Sequence, residues 1–155
     1  MDDVKWMKEA IKQAKKAESY DEVPIGCVIV KDDKVIARGY NKRETLQQSI
    51  AHAEIMAIQK ACKKLNTWRL EDCILYVTLE PCSHYGKTPP CVDMVIKKGI
   101  SRVVIGSLDP NPLVAGRGIR KLKENGIEVK IGVLEDKCKE MNKVFMKYIT
   151  SQRPY

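Results

Sequence analysis

Residues Cys73–Gly99 read CILYVTLEPCSHYGKTPPCVDMVIKKG, and this stretch decides the fold. CILYVTL is a continuous apolar run rich in branched and aromatic residues, the composition of a central strand buried on both faces. PPCVDMVIKKG sets prolines in the first turn of a helix and Gly99 at its C-terminal stop. A doubly buried strand feeding a helix is the repeating unit of an α/β sheet. Between the two, LEPCSHYGKTPPC (Leu79–Cys91) arranges two cysteines around one of only two histidines in the chain, with a lysine, a glycine and two adjacent prolines. Three readings compete for that loop: a disulfide hairpin, a turn with incidental thiols, or half of a catalytic metal site.

The alternation continues in both directions. Upstream, VKWMKEAIKQAKKAE (4–18) carries Trp6, Met7, Ala10, Ile11, Ala14 and Ala17 at close to a helical period. IGCVIVKDDKVIARGY (25–40) is two Val/Ile runs separated by Lys31, Asp32, Asp33 and Lys34, a β-hairpin with a polar turn. The polar segment NKRETLQQS leads into IAHAEIMAIQKACKKLN, where Ile50, Ala53, Met56, Ala57 and Ala61 fit a helix ending near Asn66. Downstream, RVVIGSL (102–108) is a short buried strand, and the turn-rich DPNPLVAGRG leads to a helix, GIRKLKENG. IEVKIGVL (127–134) reads as a last strand and DKCKEMNKVFMKYI (136–149) as a last helix. Strands alternating with helices predict an α/β domain with helices on both sheet faces and a site just past the strand ends.

Composition bounds the function. A chain of 155 residues has the length of one domain and can bury a core without staples, so a single domain over 1–155 is expected. No apolar run approaches the roughly 20 residues of a membrane helix, and the N-terminus MDDVKWMKEA is acidic then amphipathic, unlike a signal peptide. A cytoplasmic location with no membrane partner follows as the expectation. Six cysteines in a reducing compartment bind metal or do chemistry more often than they form disulfides. The net charge of +8 draws a protein to phosphates. Its lysines are nevertheless spread over amphipathic segments with acids interleaved, as on solvated helix faces.

His52, Ala53 and Glu54 fall in the first turn of the second helix, Cys82 just past the central strand, and Cys91 in the first turn of the third helix. One imidazole and two thiolates are three good zinc ligands, and three protein ligands leave a fourth tetrahedral position open for water. Helix N-termini lower thiol pKa and favour the thiolate. Glu54, two residues beyond His52, points elsewhere than the imidazole and is expected to reach the water. A carboxylate there can take a proton from the water and return it to a substrate. H-x-E followed by P-C-x-x-C is the signature of zinc deaminases. HAE and PC match it, but the second cysteine comes after eight residues. Cys27, Cys62, Cys73 and Cys138 lie in or beside strands and helices, where buried thiols are common, and are assigned no role.

On these residues the chain resembles the cytidine-deaminase superfamily, in two of its branches. EVPIGCVIV, GYNKRET, AHAE and TWRLEDCILYVTLEPC, within Glu22–Cys82, resemble bacterial tRNA adenosine deaminases. LEPCSHYGKTPPC, DPNPLVAGRG, GIEVKIGVLE and MNKVFMKYITSQRPY, within Leu79–Tyr155, resemble the deaminase domain of the bifunctional riboflavin-biosynthesis protein. The resemblance implies a three-layer α/β/α domain with a central mixed five-stranded sheet, and zinc held by His52, Cys82 and Cys91 with Glu54 as proton carrier. The riboflavin branch also has eight residues between its zinc cysteines. Its contacts with a phosphorylated aminopyrimidine carry over to His84, Lys87, Asp109 and Asn111. Two positions depart from that branch: Glu22-Val23-Pro24 replaces an asparagine ahead of the proline, and Asn41 replaces a histidine. Asn41 is the adenosine-deaminase choice, and in that branch it contacts the substrate.

The implied activity is hydrolytic deamination of the diaminopyrimidine ribose phosphate of riboflavin synthesis, with ammonia released. The alternatives are adenosine-to-inosine deamination in tRNA, or deamination of a free base or nucleoside such as guanine or cytosine. A non-catalytic zinc module binding RNA is the rival from another class, and Glu54 beside an open metal position speaks against it. By analogy with both branches the chain is expected to form a homo-oligomer, dimer or tetramer. The reductase domain that follows in the riboflavin branch is not expected within 1–155.

Overall fold

Alternation within the strands decides the layering. The structure, a computed structural model, describes residues 2–42, 52–82, 90–110 and 112–152. Its elements are α1 (Asp3–Glu18), β1 (Gly26–Lys31), β2 (Lys34–Tyr40), α2 (Ala53–Leu65), β3 (Ile74–Leu79), α3 (Cys91–Lys97), β4 (Arg102–Ser107), α4 (Arg117–Glu124), β5 (Glu128–Ile131) and α5 (Glu135–Gln152). The strands form one sheet in the order β2-β1-β3-β4-β5. β1 pairs antiparallel with β2 and β3, while β3, β4 and β5 run parallel.

Successive side chains of a strand point to opposite faces. Cys27, Ile29, Leu75, Val77, Val103 and Ile105 therefore face one way, into a core closed by α2, α3 and α4. Val28, Val30, Tyr76 and Val104 face the other way, toward α1 and α5. This is the expected three-layer α/β/α arrangement around a mixed five-stranded sheet. The six apolar positions picked out in α1 are all buried. In α2 Ala53, Ala57 and Ala61 face inward with Ile55 and Ile58, whereas Met56 is only half-buried. Ile50 lies outside the described residues.

The hairpin turn is tighter than the four polar residues suggested. Lys31 and Lys34 are paired across the strands, and only Asp32 and Asp33 turn, both at positive φ (51° and 62°), the geometry a two-residue hairpin requires. The last strand is shorter than the run IEVKIGVL suggested. β5 stops at Ile131 because Gly132 (φ 91°) and Leu134 (φ 55°) leave the extended conformation and turn the chain into α5. No helix among the described residues is long and apolar enough to cross a membrane.

Two glycines let helices lie directly on the hairpin. A Cβ on Gly26 would sit 2.3 Å from the Ala10 carbonyl oxygen of α1, and one on Gly39 would sit 2.3 Å from the Ala53 carbonyl oxygen of α2. The second contact fixes the N-terminus of α2, where the candidate site begins.

Candidate metal centre

β3 and β4 end on the same edge of the sheet, and the three candidate metal ligands gather there. His52 is the N-cap of α2, in extended backbone conformation, with its carbonyl accepting the Met56 N–H at 3.0 Å. Its side chain caps nothing in the helix. Cys27 in β1 donates its thiol hydrogen to the Ala53 carbonyl oxygen at 3.1 Å, tying the next residue to the sheet. Burial holds that thiol well above its ordinary pKa, so it stays a donor.

Cys82 lies three residues past β3, and Cys91 opens α3. The Cys91 backbone N–H donates to Cys82 Sγ at 3.1 Å, and the Val92 N–H donates to the Cys82 carbonyl at 3.2 Å. The N-terminus of α3 is thus folded over Cys82. One ligand atom each from His52, Cys82 and Cys91 lie within 4.8 Å of one another. The eight-residue spacing therefore does not keep the two thiols apart.

The donor set fits a zinc ion. Cys91 is 1% exposed. Its hydrogen bond with the Cys82 sulfur, then its burial, then the Glu54 charge push its thiol far above the ordinary range. A buried thiol and a half-buried one facing each other do not readily both ionise without a cation between them, and a coordinating thiol is deprotonated by its metal. Cys27, Cys62, Cys73, Cys82, Cys91 and Cys138 are all free cysteines, so the disulfide reading fails.

Glu54 sits in the first turn of α2 and is 4% exposed. Burial, with a smaller contribution from Cys82, raises its carboxyl from 4.5 to about 7. A carboxyl poised near neutrality suits proton transfer in either direction.

The substrate contacts inferred from resemblance fare unevenly. Asn41, at the end of β2, is 5% exposed and its Oδ1 finds no partner among the described residues. Orphaned buried polar atoms are rare in folded proteins. Asp109 follows β4 and is half-buried, and its backbone N–H donates to Glu80 Oε1 at 3.2 Å. It also lines a groove of about 850 Å³ between the strand ends and α5, with Leu79, Leu108 and Lys143. His84, Lys87 and Asn111 lie outside the described residues. Sequence reasoning passed over Glu80, although a charged residue directly before a Pro-Cys ligand motif was the available signal.

The chain belongs to the cytidine and deoxycytidylate deaminase family: the profile described as the zinc-binding region of those enzymes matches residues 1–107. The family's metal is zinc, and the His/Cys/Cys group is able to hold it. Among individual proteins, the chain is 44% identical to the riboflavin biosynthesis protein RibD of Aquifex aeolicus (strain VF5) over 99% of its own length and 41% of that protein. It is 46% identical to the tRNA-specific adenosine deaminase of Bacillus subtilis (strain 168) over 96% of its length and 91% of that protein. Among solved structures, it is similar to the Thermotoga maritima diaminohydroxyphosphoribosylaminopyrimidine deaminase/5-amino-6-(5-phosphoribosylamino)uracil reductase, with a TM-score of 0.81, 44% identity, and coverage of 99% of this chain and 42% of that one. The chain spans about two fifths of the length of the riboflavin proteins it matches.

Proposed function

We propose that this chain is a zinc-dependent hydrolytic deaminase whose substrate is the diaminopyrimidine ribose phosphate of riboflavin synthesis. The observation that carries the reading is that Cys82 and Cys91, with eight residues between them, meet His52 within 4.8 Å, because that spacing is the riboflavin branch's. Identity to riboflavin biosynthesis proteins along nearly the whole chain supports it.

In this reading His52, Cys82 and Cys91 hold the zinc. The ion, when bound, makes water acidic enough to act as a nucleophile near neutral pH. Glu54 takes one proton from the attacking water and passes it to the ring nitrogen, then takes the proton of the hydroxyl added to the ring carbon and passes it to the amino group, so ammonia leaves and a carbonyl remains. Burial of Glu54 excludes bulk water from that transfer. Asn41 and Asp109 orient the aminopyrimidine through hydrogen bonds, together with His84, Lys87 and Asn111. Lys87 is the residue suited to the phosphate.

A second reading, tRNA adenosine deamination, is favoured by Asn41 and by the match to the Bacillus subtilis enzyme over 91% of that protein. An ammonia-release assay separates the two. The zinc-loaded chain is given the diaminopyrimidine ribose phosphate, a tRNA anticodon stem-loop, guanine and cytosine in parallel. Release from the first supports the proposal; release from the RNA alone defeats it.

A further inference from the structure

The segment that carries Cys82 contains a second buried carboxylate, and the chemistry above gives it no task. Glu80 is 6% exposed and lies between β3 and Pro81–Cys82, its backbone N–H bonded to the Ser107 carbonyl at 2.9 Å. Its side chain accepts three backbone N–H groups. Oε1 takes those of Asp109 at 3.2 Å and Gly116 at 3.0 Å, and Oε2 takes that of Gly118 at 3.0 Å. No lysine or arginine pairs with it among the described residues. All three donors belong to the chain that leaves β4 and enters α4. The packing is close as well, since a Cβ on Gly118 would lie 2.6 Å from the Pro81 carbonyl oxygen.

A carboxylate is the side chain these donors require. It offers two acceptor oxygens and no hydrogen, and charge-assisted bonds to backbone N–H groups are the strong ones. A glutamine of the same shape presents one acceptor and turns an NH₂ toward a backbone N–H. We infer that Glu80 is a positioning residue: it locks the start of the Asp109 segment and the first turn of α4 onto the Cys82 end of β3, so that metal ligand and substrate contact keep one mutual geometry. The inference rests on reading Asp109 as a substrate contact.

Glu80→Gln in the zinc-loaded full chain tests this with three measurements. Amide hydrogen exchange is followed at Asp109, Gly116 and Gly118, zinc content is measured, and KM and kcat are determined on the diaminopyrimidine ribose phosphate. The expected result is faster exchange at those three amides with strand amides unchanged, zinc retained, and a KM raised about tenfold or more with a smaller change in kcat. Unchanged exchange at the three amides overturns the inference, as does an unaltered KM with zinc retained. Asp109→Ala separates the two levels of the argument. If it raises KM and Glu80→Gln does not, the positioning role alone is wrong; if neither raises KM, Asp109 is not a substrate contact. Should Glu80→Gln fail to fold, Gly118→Ala displaces the same segment with the carboxylate intact. A raised KM with zinc retained is then expected, and an unchanged KM overturns the inference.

Discussion

Glu54, buried near the Cys82 and Cys91 thiols, and Asn41, buried just past β2, each carry a cost of burial. Glu54→Gln keeps the shape and removes the proposed proton carrier. Ammonia release is expected to fall by roughly 10² to 10⁴ with zinc still bound. Retained activity at full zinc content would remove Glu54 from the mechanism. The same residue makes the metal-free protein sensitive to pH. Its folded pKa, about 7, lies above the ordinary 4.5, so the native state holds a proton that the unfolded chain releases. That contribution to stability is complete below 4.5 and is lost as pH rises through about 7. Urea unfolding of the metal-free protein across that window should show the decline, and Glu54→Gln should flatten it. Asn41 predicts the opposite pairing of effects. An unpartnered buried carbonyl oxygen costs about 1 to 3 kcal/mol, so Asn41→Ala is expected to leave the melting temperature unchanged or higher while raising KM. A lower melting temperature with KM unchanged would make Asn41 structural.

At the scale of elements, α1 is pinned to the sheet by one acid. Asp3 is 6% exposed, and its carboxylate takes both terminal nitrogens of Arg102 in β4 at 2.9 and 3.0 Å, the Tyr76 hydroxyl of β3 at 2.7 Å, and Lys130 of β5 at 3.2 Å. Arg102 above all holds this carboxyl well below the usual carboxylate range. Asp3→Asn leaves Arg102 paired with Glu128 alone and removes the charge from its other bonds, so it is expected to destabilise by about 1.5 to 3 kcal/mol in denaturant unfolding. The native carboxylate binds its proton more weakly than the unfolded chain's. Its contribution is therefore complete above the ordinary value of 3.8 and is lost as pH falls below it toward the folded value. The mutant should show less acid sensitivity in that range. Activity should survive, because this cluster lies at the start of β4 and the metal centre lies past the ends of β3 and β4.

For the whole molecule, the net charge of +8 and the choice of substrate are connected. A ligand engaged through one phosphate loses about three- to fourfold in affinity when salt rises from ~50 to ~200 mM, whereas one engaged through six or more phosphates loses roughly a thousandfold. KM for the diaminopyrimidine ribose phosphate should accordingly change only severalfold over that range. A loss of hundreds-fold on an RNA stem-loop, with the small nucleotide inactive, would instead assign the charge to nucleic acid.

Much of this is legible in the sequence. CILYVTL and RVVIGSL announce doubly buried strands because a sheet covered on both faces needs no polar alternation, and the six inward positions of α1 follow helical period. HAE and PC carry the chemistry in a few residues, since zinc accepts few donor types. Local pattern was silent wherever partners are distant in the chain. It overran β5, because only φ at Gly132 and Leu134 ends that strand, and it gave no sign that Asp3 would meet Arg102 or that Glu80 would collect amides from Asp109, Gly116 and Gly118. The sequence by itself determined which elements form and which side chains can hold zinc, since periodicity and ligand chemistry are local properties. Only the tertiary structure decided that thiols with eight residues between them close on one imidazole, and that a glutamate outside the ligand set holds the neighbouring segment, since those distances depend on how the strand ends converge.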